Sequence, residues 1–182
     1  MSVEPLLSQK KMPSDDVPRQ MTTLLVELLQ SGELPKLAIG GAWSGLNNCL
    51  WGRPGLGPLA MELGLIELAA EHLRAIGSAA DIVSISRGKA CVAFVVVWAV
   101  YNGVIKNFAG QAERPDLVAC VASGLVDICV DVVVAFAAAG VEGLRDTSHG
   151  TLGVALAVLS TCRTHPDCEA KIRGSATAIA FA

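Results

Sequence analysis

The sequence predicts an all-α protein built as a stack of helical units, and three observations predict it. Residues of the AVILMFWYC set make up 52% of the 182 positions, while aromatics are only 4%. The apolar excess is therefore mostly Ala, Val and Leu, small side chains that suit closely packed helices. One pattern of punctuation also recurs: an apolar segment with a polar last turn, then a Pro, then a Gly opening the next apolar segment. Strand signals, finally, are sparse. The runs FVVVWAV and ICVDVVVAF lack period-2 alternation and hairpin turns. Asn102-Gly103, the one turn-like pair, follows a long apolar run and reads equally as a helix end.

Taken in order, Met1 to Pro13 is polar and Pro-punctuated, and is expected to be a disordered tail. Ser14-Asp15-Asp16 is placed to cap a first helix through MTTLLVELLQ, ending at Ser31-Gly32. Pro35 opens a second helix through Leu50. Gly52, Pro54, Gly55 and Gly57 break the chain, with a short helix before Gly64. GLIELAAEHLRAIG is helical, with Glu67 and Glu71 one turn apart. Ser78 to Arg87 reads as a connection with some helix, and Gly88 to Lys106 as a long apolar helix. Pro115 and Gly124 each start a helix, and Gly143 to Gly150 reads as a loop. Thr151 to Arg163 is helical, Pro166 opens a short helix ending near Gly174, and SATAIAFA reads as a further apolar helix.

The repeat lies in GLIELAAEHL from Gly64 and GLVDICVDVV from Gly124. Glu67 matches Asp127, and Glu71 matches Asp131. Pro54 and Pro115 precede the two glycines; Pro166 and Gly174 make a third cycle. Asn48, Asn102 and Thr161 share the polar turn before each Pro. No unit can enclose its own apolar surface, so stacking is required, which is the logic of a helical solenoid.

On these residues the chain resembles the armadillo repeat family. Gly45-Leu46-Asn47-Asn48 and Ala99-Val100-Tyr101-Asn102 match its Ala-Leu-x-Asn helix end; Gly64-Leu65-Ile66 and Gly124-Leu125-Val126 match its Gly-x-Ile opening. MTTLLVELLQSGELP resembles the second helix and turn of a preceding unit. The resemblance spans Val17 to Ala182 and implies a right-handed α-solenoid of about three units, residues 14–53, 54–114 and 115–165, with a partial unit at 166–182. These units exceed the usual length of about 40–47 residues, the excess lying at Ala75 to Arg87 and Ala135 to His149. The resemblance also implies a noncatalytic scaffold or adaptor that binds a protein or an extended peptide. Trp98 and Asn102, spaced i, i+4, would line the groove with Asn48: the Asn amides hold a peptide backbone and the Trp packs beside its side chains. Trp43 and Asn47 share that spacing, but the apolar register favours Asn48 as the equivalent of Asn102. The alternative is a Trp buried between layers and an Asn capping a helix end.

Charge and motifs narrow the other classes. A net charge of −3 with no long basic cluster implies no nucleic-acid or anionic-lipid partner. Without an apolar signal segment the protein is expected in the cytoplasm, or the nucleus; its six cysteines then read as small buried hydrophobes. Ala90 to Ile105 is the candidate membrane span, giving an integral membrane protein as one alternative. A helix of that length covers about 24 Å, short of a hydrocarbon core of about 30 Å. The other alternative is a helical-bundle enzyme or small-molecule binder.

No motif here identifies a catalytic residue, a metal site or a cofactor. Cys162, His165 and Cys168 form C-x2-H-x2-C without a matching fourth ligand. Ser86-Arg87-Gly88-Lys89 lacks the Gly and Ser/Thr that a phosphate loop needs. Asp146, Ser148 and His149 are consecutive, whereas a triad assembles from separated segments. Glu67/Glu71 and Asp127/Asp131 read as solvated helix faces near N-termini. The C-terminal apolar helix lacks a polar capping partner, so the chain is expected to continue or to self-associate there.

Overall fold

A computed structural model describes residues 15–84, 87–139 and 146–180. Among them it is all-helical, without strand: α1 Asp16–Gln30, α2 Lys36–Leu50, α3 Gly57–Glu62, α4 Leu65–Ile76, α5 Ala79–Ser84, α6 Arg87–Val100, α7 Pro115–Ala122, α8 Leu125–Ala139, α9 Asp146–Cys162 and α10 Pro166–Ala180. A 3-10 turn, Pro54–Leu56, precedes α3, and a π turn, Tyr101–Ile105, extends α6. The expected tail, Met1 to Pro13, lies outside the described residues, as do residues 143–145 of the expected loop.

The helices form two layers. In the first, α2 packs on α6 and α6 on α9; in the second, α4 packs on α8 and α8 on α10. The layers are joined by α1 on α2, α4 on α6 and α8 on α9, and α5 wedges between α6 and α8. Trp43, Leu46, Leu50, Leu65, Ile66, Val100, Ile105, Leu125, Val126 and Val158 are fully buried between them. Each large aliphatic among them contributes about 1.5–3 kcal/mol on burial.

The matched sequences fold alike. Gly64 and Gly124 both take the left-handed conformation, with φ of 71° and 77°, which costs any other residue about 1–2 kcal/mol. Their amides bond the carbonyls of Met61 and Val121, and their own carbonyls accept from Leu68 and Ile128. The Arg-Pro pairs at 53–54 and 114–115 repeat as well. Arg53 donates to the carbonyls of Asn48 and Cys49 at 3.1 Å. Arg114 donates to the Ile105 carbonyl at 3.4 Å while pairing with buried Asp116. Each guanidinium thus satisfies carbonyls left free at the end of the preceding helix.

Three expectations are corrected. The helix at Pro166 does not end near Gly174; α10 runs to Ala180. An interior Gly costs only about 1 kcal/mol against Ala, and an ion pair between Arg173 and Glu169 at 2.6 Å ties the turn before it. The last long helix starts at Asp146, not Thr151, because Asp, Thr and Ser favour a helix start. The connection after Gly77 carries some helix, as expected, in α5: Ser78 Oγ accepts from the Asp81 amide at 3.2 Å while Asp81 Oδ2 accepts from the Ser78 amide at 2.9 Å, a reciprocal cap. At the first helix, Asp15 makes no side-chain cap bond; its carboxylate lies 3.6 Å from the Arg53 guanidinium.

As for a span near residues 90–105, no single described helix is long and apolar enough to cross a membrane. The bent pair α7–α8, which together has the length and composition, turns by 67° and carries Asp127 and Asp131 exposed.

Candidate functional site

Three long stretches of the chain, of 13 residues or more, carry no charged side chain: 37–52, 90–105 and 150–162. They form nearly all of α2, most of α6 with its π turn, and most of α9, the helices of the first layer. Each buries one face against the second layer or its neighbours and leaves an outward stripe. On α2 the stripe is Leu37, Gly41, Ser44 and Asn48, all exposed. On α6 it is Cys91, Phe94, Trp98 and Tyr101, the first exposed and the aromatics half-buried; on α9 it is Gly153, Leu156 and Ser160, exposed. The spacings are three or four residues, so each stripe runs along one helix side.

The aromatic stripe is the centre of this face. Phe94 stacks on Trp98 with ring centroids 5.4 Å apart and planes 30° from parallel, and Trp98 tilts 46° against Tyr101 at 6.5 Å. The helix α9 approaches closely beside them: a β-carbon at Gly150 would lie 3.2 Å from the Phe94 ring. Phe94 is thus held from one side, and Trp98 rests on a fixed neighbour.

Beneath the stripe lies a polar floor. Asn102 is buried, and its Nδ2 donates to Asn47 Oδ1 at 3.2 Å. The residue facing Asn102 is therefore Asn47, not Asn48, which stays exposed on α2. Asn102 lies within the π turn, whose i→i+5 bond runs from the Lys106 amide to the Tyr101 carbonyl at 2.8 Å. Such turns concentrate at functional sites. Gly103 follows, and a β-carbon there would fall 2.4 Å from Leu50 Cδ1, so only Gly lets the two helix ends approach this closely.

A second polar link fixes α2 from behind. Trp43 is fully buried, and its Nε1 donates to His72 Nδ1 at 3.0 Å. The His72 ring also bonds the Leu29 carbonyl; burial pushes its pKa below the ordinary value, against the pull of Glu71 and that carbonyl. Trp43 thus has the i, i+4 spacing of Trp98 yet the opposite environment.

The second layer is electrostatically different. Glu67, Glu71 and Arg74 on α4, with Asp127 and Asp131 on α8, are exposed. Lys171 pairs with Asp127 at 2.5 Å, and Arg74 donates to the Ser123 carbonyl. A cleft of about 280 Å³ between α4, α5 and α8 is lined by Arg74, Ser78, Asp127 and Asp131. Another, of about 450 Å³, lies where Arg114 and Pro115 meet Thr164 and His165.

Cys162 and Cys168 of the C-x2-H-x2-C stretch are fully buried. Cys162 lies within hydrogen-bonding reach of Cys120 and Cys168; the bond from Cys120 favours its thiolate, and burial pushes the Cys168 thiol up to about 12. His165 Nδ1 is buried without a hydrogen-bond partner, 4.0 Å from Asp167. Among the described residues, no group of three or more His, Cys, Asp or Glu is placed to hold a metal ion. The side chains of Asp146, Ser148 and His149 lie outside the described residues; their backbone forms the first turn of α9.

The chain matches no family model, no curated protein and no solved structure.

Sequence reasoning singled out Asn48 and Trp98 on this face, and Asn102 beneath it. It missed Phe94 and Tyr101, whose spacing to Trp98 reads like any core stripe, and the absence of charge from three separated stretches. That last signal was present in the letters.

Proposed function

We propose that this chain is a noncatalytic protein- or peptide-binding module, a short right-handed α-solenoid of armadillo type, and that it binds through the outward face of α2, α6 and α9. One observation carries the reading: three helices packed in succession present an uncharged face around a half-buried aromatic row, while the opposite layer carries the exposed carboxylates. An uncharged face with an aromatic centre is what a desolvated interface needs, because charged residues are depleted at interface cores and aromatics are enriched. Asn48 and Ser44 supply amide and hydroxyl groups for a peptide backbone. Asn102 acts from below by fixing the register of α6 on α2. Six unpaired cysteines, four of them buried, suit a reducing compartment, in keeping with a cytoplasmic or nuclear protein.

The test is selection of linear peptides from a displayed random library on the purified protein, followed by affinity measurement on variants. Trp98→Ala is expected to lose about 2 kcal/mol, the scale of an aromatic hot spot, or about thirtyfold in Kd. Asp131→Ala is expected to bind like wild type. Equal affinities for the two variants would overturn the assignment of the face.

A further inference from the structure

The helix α1 has two apolar faces, and the core uses only one. Thr22, Val26 and Leu29 are buried. On the outward side Val17, Met21, Leu24 and Leu28 remain 65%, 42%, 59% and 45% exposed. Their spacing of four, three and four residues is the seam of a two-helix coiled coil. This is not the habit of its layer: the outward positions of α4 and α8 carry Glu67, Glu71, Asp127 and Asp131.

We propose that this stripe is a self-association surface, in which α1 packs antiparallel against α1 of a second copy about a two-fold axis. The pattern is self-complementary in that direction. Val17 falls opposite Leu28 of the second copy, and Met21 opposite Leu24, so a long side chain meets a shorter one in every layer. Gln20 and Glu27, both exposed, flank the stripe on one side. Antiparallel pairing sets Gln20 against Glu27 of the second copy, an amide on a carboxylate. A two-fold contact uses the same patch on both copies, and this one needs no other surface.

The strip has an area on the order of 300–400 Å² per copy, the size of a functional surface patch. A standard interface takes about 800 Å² from each side, so the strip makes its apolar core with the polar flank as rim. The resulting dimer is weak and concentration-dependent. Nothing in this proposal depends on the peptide-binding face, which lies on other helices.

Sedimentation velocity of the full chain, from low micromolar to several hundred micromolar, is the test. The weight-average mass is expected to rise from 18.8 kDa toward twice that value. Leu24→Asp, at an exposed position that leaves the core intact, is expected to raise the dimer Kd at least tenfold. Val118→Asp, at an equally exposed apolar residue on α7, is expected to leave it unchanged. Gln20→Lys is expected to tighten the dimer severalfold by pairing with Glu27. A wild-type chain that stays monomeric throughout, or Leu24→Asp and Val118→Asp behaving alike, would overturn the proposal. Weakening by Gln20→Lys would overturn the antiparallel arrangement.

Discussion

Asn102, in the π turn that extends α6, donates a single buried hydrogen bond to Asn47 near the end of α2, Nδ2 to Oδ1 at 3.2 Å. They are 55 residues apart in sequence, each four residues after a Trp on an apolar helix. Replacing Asn102 by Ala leaves Asn47 Oδ1 without its donor, a loss of about 1–3 kcal/mol. Replacing both by Leu is expected to cost less than the sum of the two single Leu variants, since neither polar group then remains stranded. Urea unfolding of the two singles and the double, as a thermodynamic cycle, checks both statements.

Gly103 sets the distance between those same helix ends. Gly103→Ala would drive a methyl group to 2.4 Å from Leu50 Cδ1 and 3.0 Å from its Cβ, and overpacking of this kind costs about 1–3 kcal/mol. Gly174→Ala, in α10 with nothing within 4 Å, is expected to stabilise by about 0.5–1 kcal/mol through helix propensity. Opposite signs of the two shifts in thermal midpoint are the expected result.

The repeat itself makes a prediction. Gly64→Ala and Gly124→Ala each force an L-residue to positive φ, at about 1–2 kcal/mol. At Gly124 the new β-carbon also meets Arg74 Nη2 at 2.6 Å, but that is the end of a flexible side chain. Both variants should lose stability in urea unfolding, and the double variant should lose the sum of the two within about 0.5 kcal/mol, the usual margin for independent sites.

How much of this was legible in the letters depends on what each feature rests on. Gly64 and Gly124 could be matched because a left-handed turn restricts residue type. Trp98 could be singled out because the armadillo resemblance gives a Trp spaced i, i+4 from an Asn, as Trp98 is from Asn102, a place in the groove. The pairing of Asn102 with Asn47 could not, because it depends on how α2 packs on α6, and the apolar register alone favours Asn48. The different fates of Trp43 and Trp98 were also out of reach: identical spacing on two apolar helices says nothing of which one His72 will cover. The continuation of α10 through Gly174 shows the limit from another side, since a Gly that no turn requires is simply tolerated.

Stability should depend on pH through His72. Its folded pKa lies below the ordinary histidine value of 6.5, so the folded state binds fewer protons than the unfolded one as pH falls through that value. The stabilisation is present above about 6.5 and is lost progressively below it. Protonation also removes the acceptor for Trp43 Nε1, leaving a buried N–H without a partner. Unfolding midpoints measured between about pH 7.5 and pH 5 should fall in wild type, and the fall should be shallower in His72→Gln, which keeps a polar group but does not titrate.

An uncharged face predicts binding that ignores salt. Screening acts on exposed charges, and none lies along 37–52, 90–105 or 150–162. Affinity for a selected peptide should change less than about threefold up to about 0.5 M salt, as read by calorimetry. A steep loss would point to the charged layer of α4 and α8.

The most direct test of the central claim is hydrogen exchange of the full chain with and without the tightest selected peptide. Slowed exchange is expected along 37–50, 91–104 and 150–161, with little change at 65–76 and 125–138. Protection confined to α4 and α8, with the aromatic row unaffected, would contradict the account.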